Sequence, residues 1–218
     1  MSMDKEINAL LKTMHSEEAK EKGTTGELSV MKVCEEFYQE YGGILYHSYS
    51  YKVDKNLEGN IKRDENGNLY VENLGSTTEI DVLLVTPYKV FPIEVKAYRA
   101  KQIILTDDGI SGCAITDKSP VHQNEMHCRH LYSYLFKSLP NGSTDYIVPI
   151  VCLVDRTELK DKRSDWQKEY IKACTLNSLR EILIKYNTPN DFMLNLKSID
   201  NTLKEIGTDW DKYYPVRE

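Results

Sequence analysis

Two apolar runs separated by only three residues constrain the fold of this chain most. Thr78–Thr86 reads TEIDVLLVT, Val90–Ala97 reads VFPIEVKA, and Pro87-Tyr88-Lys89 joins them. Runs of this length, rich in Val, Ile and Leu and separated by a proline-containing turn, predict two adjacent strands of a hairpin. Each run nonetheless carries charge: Asp81 in the first, Glu94 and Lys96 in the second. Side chains two apart on a strand share a face, so Glu94 and Lys96 project together while Asp81 stands on the neighbouring strand. Ile80, Val82, Ile93 and Val95 are expected on the opposite face. Carboxylates set among residues that seek burial cost on the order of several kcal/mol unless they are paired or bound to a metal. A divalent cation between Asp81 and Glu94 satisfies both through oxygen ligands. Such an ion polarises a phosphoryl oxygen and lowers the pKa of a bound water, and Lys96 then orients that water or offsets charge developing on the phosphate. The same spacing also fits an ordinary strand face on which Glu94 and Lys96 are simply solvated.

The remainder of the chain predicts a single α/β domain around this hairpin. Ile7, Leu10, Leu11 and Met14 recur at helical spacing, which predicts an N-terminal helix within residues 1–22. Thr24 or Thr25 caps a second helix that runs to Tyr41 and stops at Gly42-Gly43. Ile44–Tyr51 alternates as a strand, and Asn66-Gly67 marks a hairpin turn between Asn60–Asp64 and Leu69–Val71. Ile103–Leu105 and Ile110–Cys113 form another short hairpin. Pro120 opens a helix to about Leu139, and the continuously apolar Tyr146–Val154 reads as a strand covered on both faces. Beyond Asp155 the reading is helical, with Trp166–Tyr186 and Asp191–Ile206 as the two helices. Domain boundaries are therefore expected at 1–22, 23–155 and 156–218, the last a helical extension packed on the core.

Composition narrows the function classes. The formal net charge of −6 argues against a protein that coats nucleic acid through a broad basic surface. It leaves room for an enzyme that meets a few phosphates through metal ions. No apolar run approaches the roughly 20 residues of a membrane helix, and the charged N-terminal residues lack a secretory core. Five scattered cysteines without a CxxC pair suit reduced thiols. These features predict a cytoplasmic protein without a membrane partner.

Several stretches, taken in order, resemble a known family. Gly26-Glu27 at the start of a helix, Ile80–Thr86, Phe91–Tyr98 and Pro120-Val-His-Gln123 are similar to the motifs of the nuclease-related domain (NERD), a family of the PD-(D/E)xK nuclease superfamily. The similarity runs from about Gly23 to Leu139. It implies a restriction-endonuclease-like αβββαβ core, a mixed central sheet flanked by helices, and a magnesium-dependent nuclease with manganese as a substitute ion. Under it Asp81 and Glu94 are metal ligands, Lys96 is the catalytic lysine, and Glu27 is a further ligand or water-holding carboxylate. Gln123 lines the site from the later helix, and the backbone carbonyl of Val95 is an extra ligand. The implied substrate is nucleic acid, with DNA expected. Ala97-Tyr98-Arg99-Ala100 stands where such domains usually place a glycine, and the residues beyond Asp155 lie outside the similarity. The alternative reading is therefore a catalytically inactive module of the same fold that binds nucleic acid or a protein partner.

Other residues invite weaker readings. Glu79 shares a face with Asp81 but reads as a solvated strand-edge charge. His122, His127, Cys128 and His130 suggest zinc, yet only His127 and His130 share a helix face and no second ligand pair accompanies them. They read instead as a partly exposed helix face near the active site. The fifteen tyrosines read as packing residues rather than base-stacking platforms. Lys160, Lys162 and Arg163 read as a solvated loop. The C-terminal apolar stripes, Leu176, Leu179, Ile182 and Leu183 with Phe192, Leu196, Ile199 and Leu203, are expected on the domain's own core, with a homodimer interface as the alternative.

Overall fold

The computed structural model describes residues 23–53, 61–63, 69–71, 77–98, 100–112, 119–154, 158–189 and 192–217. The expected N-terminal helix and the Asn66-Gly67 turn lie outside the described residues. Helix α1 spans 23–41, and Gly42-Gly43 ends it as predicted. Gly43 sits at φ +121°, and a Cβ there would fall 1.9 Å from the Val85 carbonyl oxygen, so only glycine lets the chain turn directly into strand β1 (Gly43–Lys52). A short antiparallel hairpin, β2 (Ile61–Arg63) with β3 (Leu69–Val71), precedes the central pair β4 (Thr77–Val85) and β5 (Val90–Ala97). Next come β6 (Gln102–Thr106), β7 (Gly109–Ser111), helix α2 (Pro120–Leu135) and strand β8 (Ile150–Val154).

The later elements include β9 (Glu158–Asp161), β10 (Lys172–Thr175), α4 (Leu176–Tyr186), α5 (Leu196–Ile206) and β11 (Gly207–Asp209), and the main sheet runs in the order β10-β8-β5-β4-β1-β11. β1, β4 and β5 are antiparallel neighbours, whereas β8 lies parallel to β5 and β10 parallel to β8. This mixed sheet with helices on both faces is the predicted α/β architecture, and α1–β1–β4–β5–α2–β8 follows the αβββαβ order. On one face α1 and α4 bury Val82, Leu84, Ile93 and Val95 under Val30, Cys34, Leu179 and Leu183. On the other, α2 and α5 cover Ile44, Tyr46, Leu83 and Val85 with Leu131, Leu135, Ile199 and Leu203. All five residues of β8 are buried between β5 and β10, which accounts for its unbroken apolar run. A small sheet, β7-β6-β9, continues beside it.

The region after Asp155 departs from the helical expectation. It contains β9 (Glu158–Asp161), α3 (Asp165–Tyr170), β10 (Lys172–Thr175), α4 (Leu176–Tyr186), α5 (Leu196–Ile206), β11 (Gly207–Asp209) and β12 (Lys212–Arg217). The expected helix over Trp166–Tyr186 breaks because Lys172–Thr175 pairs with the open edge of β8, a long-range partner that outweighs local helical spacing. Thr175 and Ser178 then restart the helix through a reciprocal capping box. The second helix begins only at Leu196, where the Asn195 side chain accepts from the Ser198 amide at 3.0 Å. After Gly207 the chain returns to the sheet, and β11 and β12 pair with β1. Pro215 is tolerated in β12 because that strand lies at the sheet's edge. Leu179, Leu183, Leu196, Ile199 and Leu203 are buried in the domain's own core. No helix among the described residues is long and apolar enough to cross a membrane.

Candidate active site

The site sits where β4 leaves β5. The two strands pair from Val85↔Val90 to Val82↔Ile93 and no further. At the same level β1 and β4 share a local irregularity. His47 pairs with Val82 and Tyr49 with Ile80, but Ser48 and Asp81 between them do not pair. Ser48 has φ +51°, a left-handed conformation that residues other than glycine seldom adopt. Beyond this point both strands have exchanged faces: Tyr46 and Tyr49 lie in one core cluster, as do Leu83 and Ile80. Ile80 thus faces away from Val82, Ile93 and Val95, which corrects the simple alternation expected for these four. This unpaired position, at which the register is kept on either side, releases Asp81 from the pleat. Its Oδ2 accepts the Val95 amide at 2.6 Å and takes the place of a missing ladder acceptor.

Glu94 and Lys96 share a face of β5, as their spacing predicts. Glu94 is 1% exposed, with its Oε1 2.6 Å from Lys96 Nζ and its Oε2 3.4 Å from Nδ1 of His127 on α2. The Lys96 contact is an ion pair, and neither buried oxygen of Glu94 accepts a well-directed hydrogen bond. Burial raises the Glu94 carboxyl above its ordinary range, against the pull of Lys96, and the charges of Glu27 and Glu79 raise it further. Asp81 is pushed up to about 8, first by burial and then by the negative charge of Glu94, with the Val95 amide and Lys96 opposing. The half-buried Asp81 and the buried Glu94 therefore repel one another, and Lys96 offsets that charge only in part.

Glu27 approaches from α1. A Cβ on Gly26 would lie 2.6 Å from Cγ2 of Val154, so the glycine lets the first turn of α1 rest against the end of β8. Glu27 Oε2 lies 3.7 Å from Nε2 of the buried His47, whose Nδ1 is 3.7 Å from Asp211 Oδ2. The charge of Glu27 acts on both Asp81 and Glu94. Gln123 stands half-buried in the first turn of α2, and the α2 side chain that meets Glu94 is His127, one turn later. Val95 meets the site through its amide, which donates to Asp81 Oδ2. Glu79 is exposed and accepts a hydrogen bond from Ser50 Oγ at 3.2 Å.

The histidine face of α2 corrects a second expectation. His127 and His130 are buried rather than partly exposed. Burial, with Lys96 and His130 adding, lowers His127 to about 4, so its imidazole is neutral at pH 7. A signal for His127 was present in its i+4 spacing from Gln123, which places both on one helix face. His47 carried no such signal, because Glu27 and Asp211 lie far from it in the chain. Cys34, Cys128, Cys152 and Cys174 are buried free thiols. Among the described residues no three His, Cys, Asp or Glu side chains stand together in an arrangement that holds a metal ion. The donors of the Asp81–Glu94 pair are nonetheless of the right kind for a hard divalent cation, since they are carboxylate oxygens, and magnesium needs only one or two of these besides water.

No curated protein and no solved structure matches the chain. The family model of the nuclease-related domain matches residues 22–154, a span that begins just before α1 and ends with β8. That span is more than half of the 218 residues and contains the unpaired Ser48–Asp81 position, the β4–β5 pair and the face of α2 that meets it. The chain belongs to the nuclease-related domain family.

Proposed function

We propose that the chain is a metal-dependent nuclease that hydrolyses phosphodiester bonds, with DNA as its substrate. The observation that carries this reading is the pair of mutually repelling carboxylates, the half-buried Asp81 and the buried Glu94, at the point where β4 parts from β5. Sites of this kind are costly to fold and are retained where a cation or a reaction uses them. A bound magnesium or manganese ion supplies a water of lowered pKa and withdraws charge from a phosphoryl oxygen. Asp81 and Glu94 hold that ion. Glu27 extends the acidic lining from α1 and keeps a water in place, and Gln123 lines the site from α2. Lys96 offsets the charge of Glu94 and presents its ammonium to a phosphate. Four buried free cysteines suit the reducing cytoplasm proposed as its compartment.

The test is cleavage of plasmid and single-stranded DNA with magnesium or manganese, alongside Asp81→Asn and Lys96→Ala. Each substitution is expected to lower the rate by about 10²–10³-fold, the usual cost of removing one preorganised polar group. Cleavage that survives both would sink the assignment.

One observation favours a second reading, a non-catalytic module that binds nucleic acid or a protein partner. Lys96 already pairs with Glu94, and among the described residues no three-ligand group is assembled. Calorimetric titration with manganese separates the two readings: uptake at the Asp81–Glu94 pair supports the nuclease, and none supports the module.

A further inference from the structure

We infer that His127 is a positioning residue for Glu94, its Nδ1–H fixing Oε2 while Lys96 engages Oε1. The inference rests on the metal-site reading proposed above and adds to it a residue that the sequence motifs do not include. Its basis is geometric. His127 Nδ1 and Glu94 Oε2 are both buried, neither makes a directed hydrogen bond to any group, and they stand 3.4 Å apart, within reach of each other. The turn of α2 that carries His127 is anchored on both sides. One turn earlier, the buried Asn124 Nδ2 donates to the carbonyls of Pro92 at 3.2 Å and Ile150 at 2.8 Å, which ties α2 to β5 and β8. The backbone carbonyl of His127 itself accepts from Tyr51 Oη at 2.9 Å, which ties the same turn to β1. Pro92 lies two residues before Glu94 on the same face of β5, so the Asn124 clamp sets the distance between imidazole and carboxylate.

The consequence is orientational. A glutamate has three side-chain torsions, and a carboxylate that must meet a cation loses affinity when it is free to rotate. Donors that hold a ligand from behind are typically worth about 10–100-fold in metal affinity or activity.

Manganese titration of the full chain, His127→Phe and His127→Gln tests the inference. His127→Phe keeps a ring in the space but removes the donor, and its manganese affinity is expected to fall by about tenfold or more. His127→Gln keeps an N–H donor and is expected to recover most of that loss. Wild-type affinity in a folded His127→Phe overturns the inference, and so does a His127→Gln no better than His127→Phe. A long-range proton–nitrogen NMR spectrum of the wild type gives a check that no folding defect can blur: Nδ1 should be the protonated ring nitrogen, and an unprotonated Nδ1 overturns the inference. If the wild type itself takes up no manganese, the metal-site reading and this inference fall together, an outcome visible before any variant is made.

Discussion

From Val82 to Val85, β4 pairs residue for residue with β5, and every side chain of Val82–Val85 and Val90–Ile93 is buried. From Asp81 outward the same two strands no longer pair, Ser48 opposite takes a left-handed φ, and Asp81, Glu94 and Lys96 replace the apolar side chains. The lower half of the hairpin stabilises the fold by removing apolar surface from water. The upper half opposes it, since it sets the half-buried Asp81 against the buried Glu94, whose charges repel. The contrast shows how a small domain can carry an unfavourable charge cluster: the cluster begins at the last rung of a well-packed ladder, whose rigidity fixes its geometry and whose burial offsets its cost.

Substitutions in the two halves should consequently differ in sign. In the lower half, Phe91→Ala should destabilise the protein by about 3–5 kcal/mol in denaturant unfolding, as expected for emptying a fully buried aromatic site. In the upper half, Asp81→Asn retains an oxygen to accept the Val95 amide and removes the repulsion with Glu94. In metal-free buffer at pH 8 it should unfold at higher denaturant concentration than the wild type, although it removes a proposed ligand. A loss comparable to that of Phe91→Ala would break the comparison.

The upper half should also impose a pH dependence. A carboxyl group of the unfolded chain titrates near pH 4, whereas Asp81 in the fold titrates at about 8. Between those values the folded state holds more protons than the unfolded state, so stability falls as pH rises through the window. Between pH 4 and 6.5 the lowered His127 acts with the opposite sign, so urea unfolding from pH 6.5 to 8 without metal should show this decline, and Asp81→Asn should reduce its slope. The smallest effect is expected at the unpaired Ser48. Ser48→Val forces a β-branched residue into a left-handed conformation and should cost about 1–2 kcal/mol, while Ser48→Gly should be neutral or slightly stabilising.

Much of this arrangement was legible in the chain. The hairpin follows from its apolar runs, and Glu94 and Lys96 share a face because strand periodicity is a local property. Asp81 could be named from its neighbours but not placed. Its release from the pleat depends on an unpaired position opposite Ser48 in a distant strand, where no glycine advertises a positive φ. β10 was read as helix because its reason for being a strand is the edge of β8, which no local pattern reports. Glu27 entered through a motif, and the arrival of α1 at that end of the sheet rests on Gly26 against Val154. His127 was visible as a residue and misread, because its partner is a carboxylate on β5 rather than another side chain on α2.

The central claim is that the charged half of the hairpin is held in reserve for a divalent cation. Thermal unfolding of the wild type and of the Asp81→Asn/Glu94→Gln double variant, each with and without manganese, tests it most directly. Without metal the double variant should melt at the higher temperature. With manganese at about 100 times its dissociation constant the wild type should gain about 2.7 kcal/mol and the double variant almost nothing. Equal shifts in the two proteins, or none in the wild type, would contradict the account.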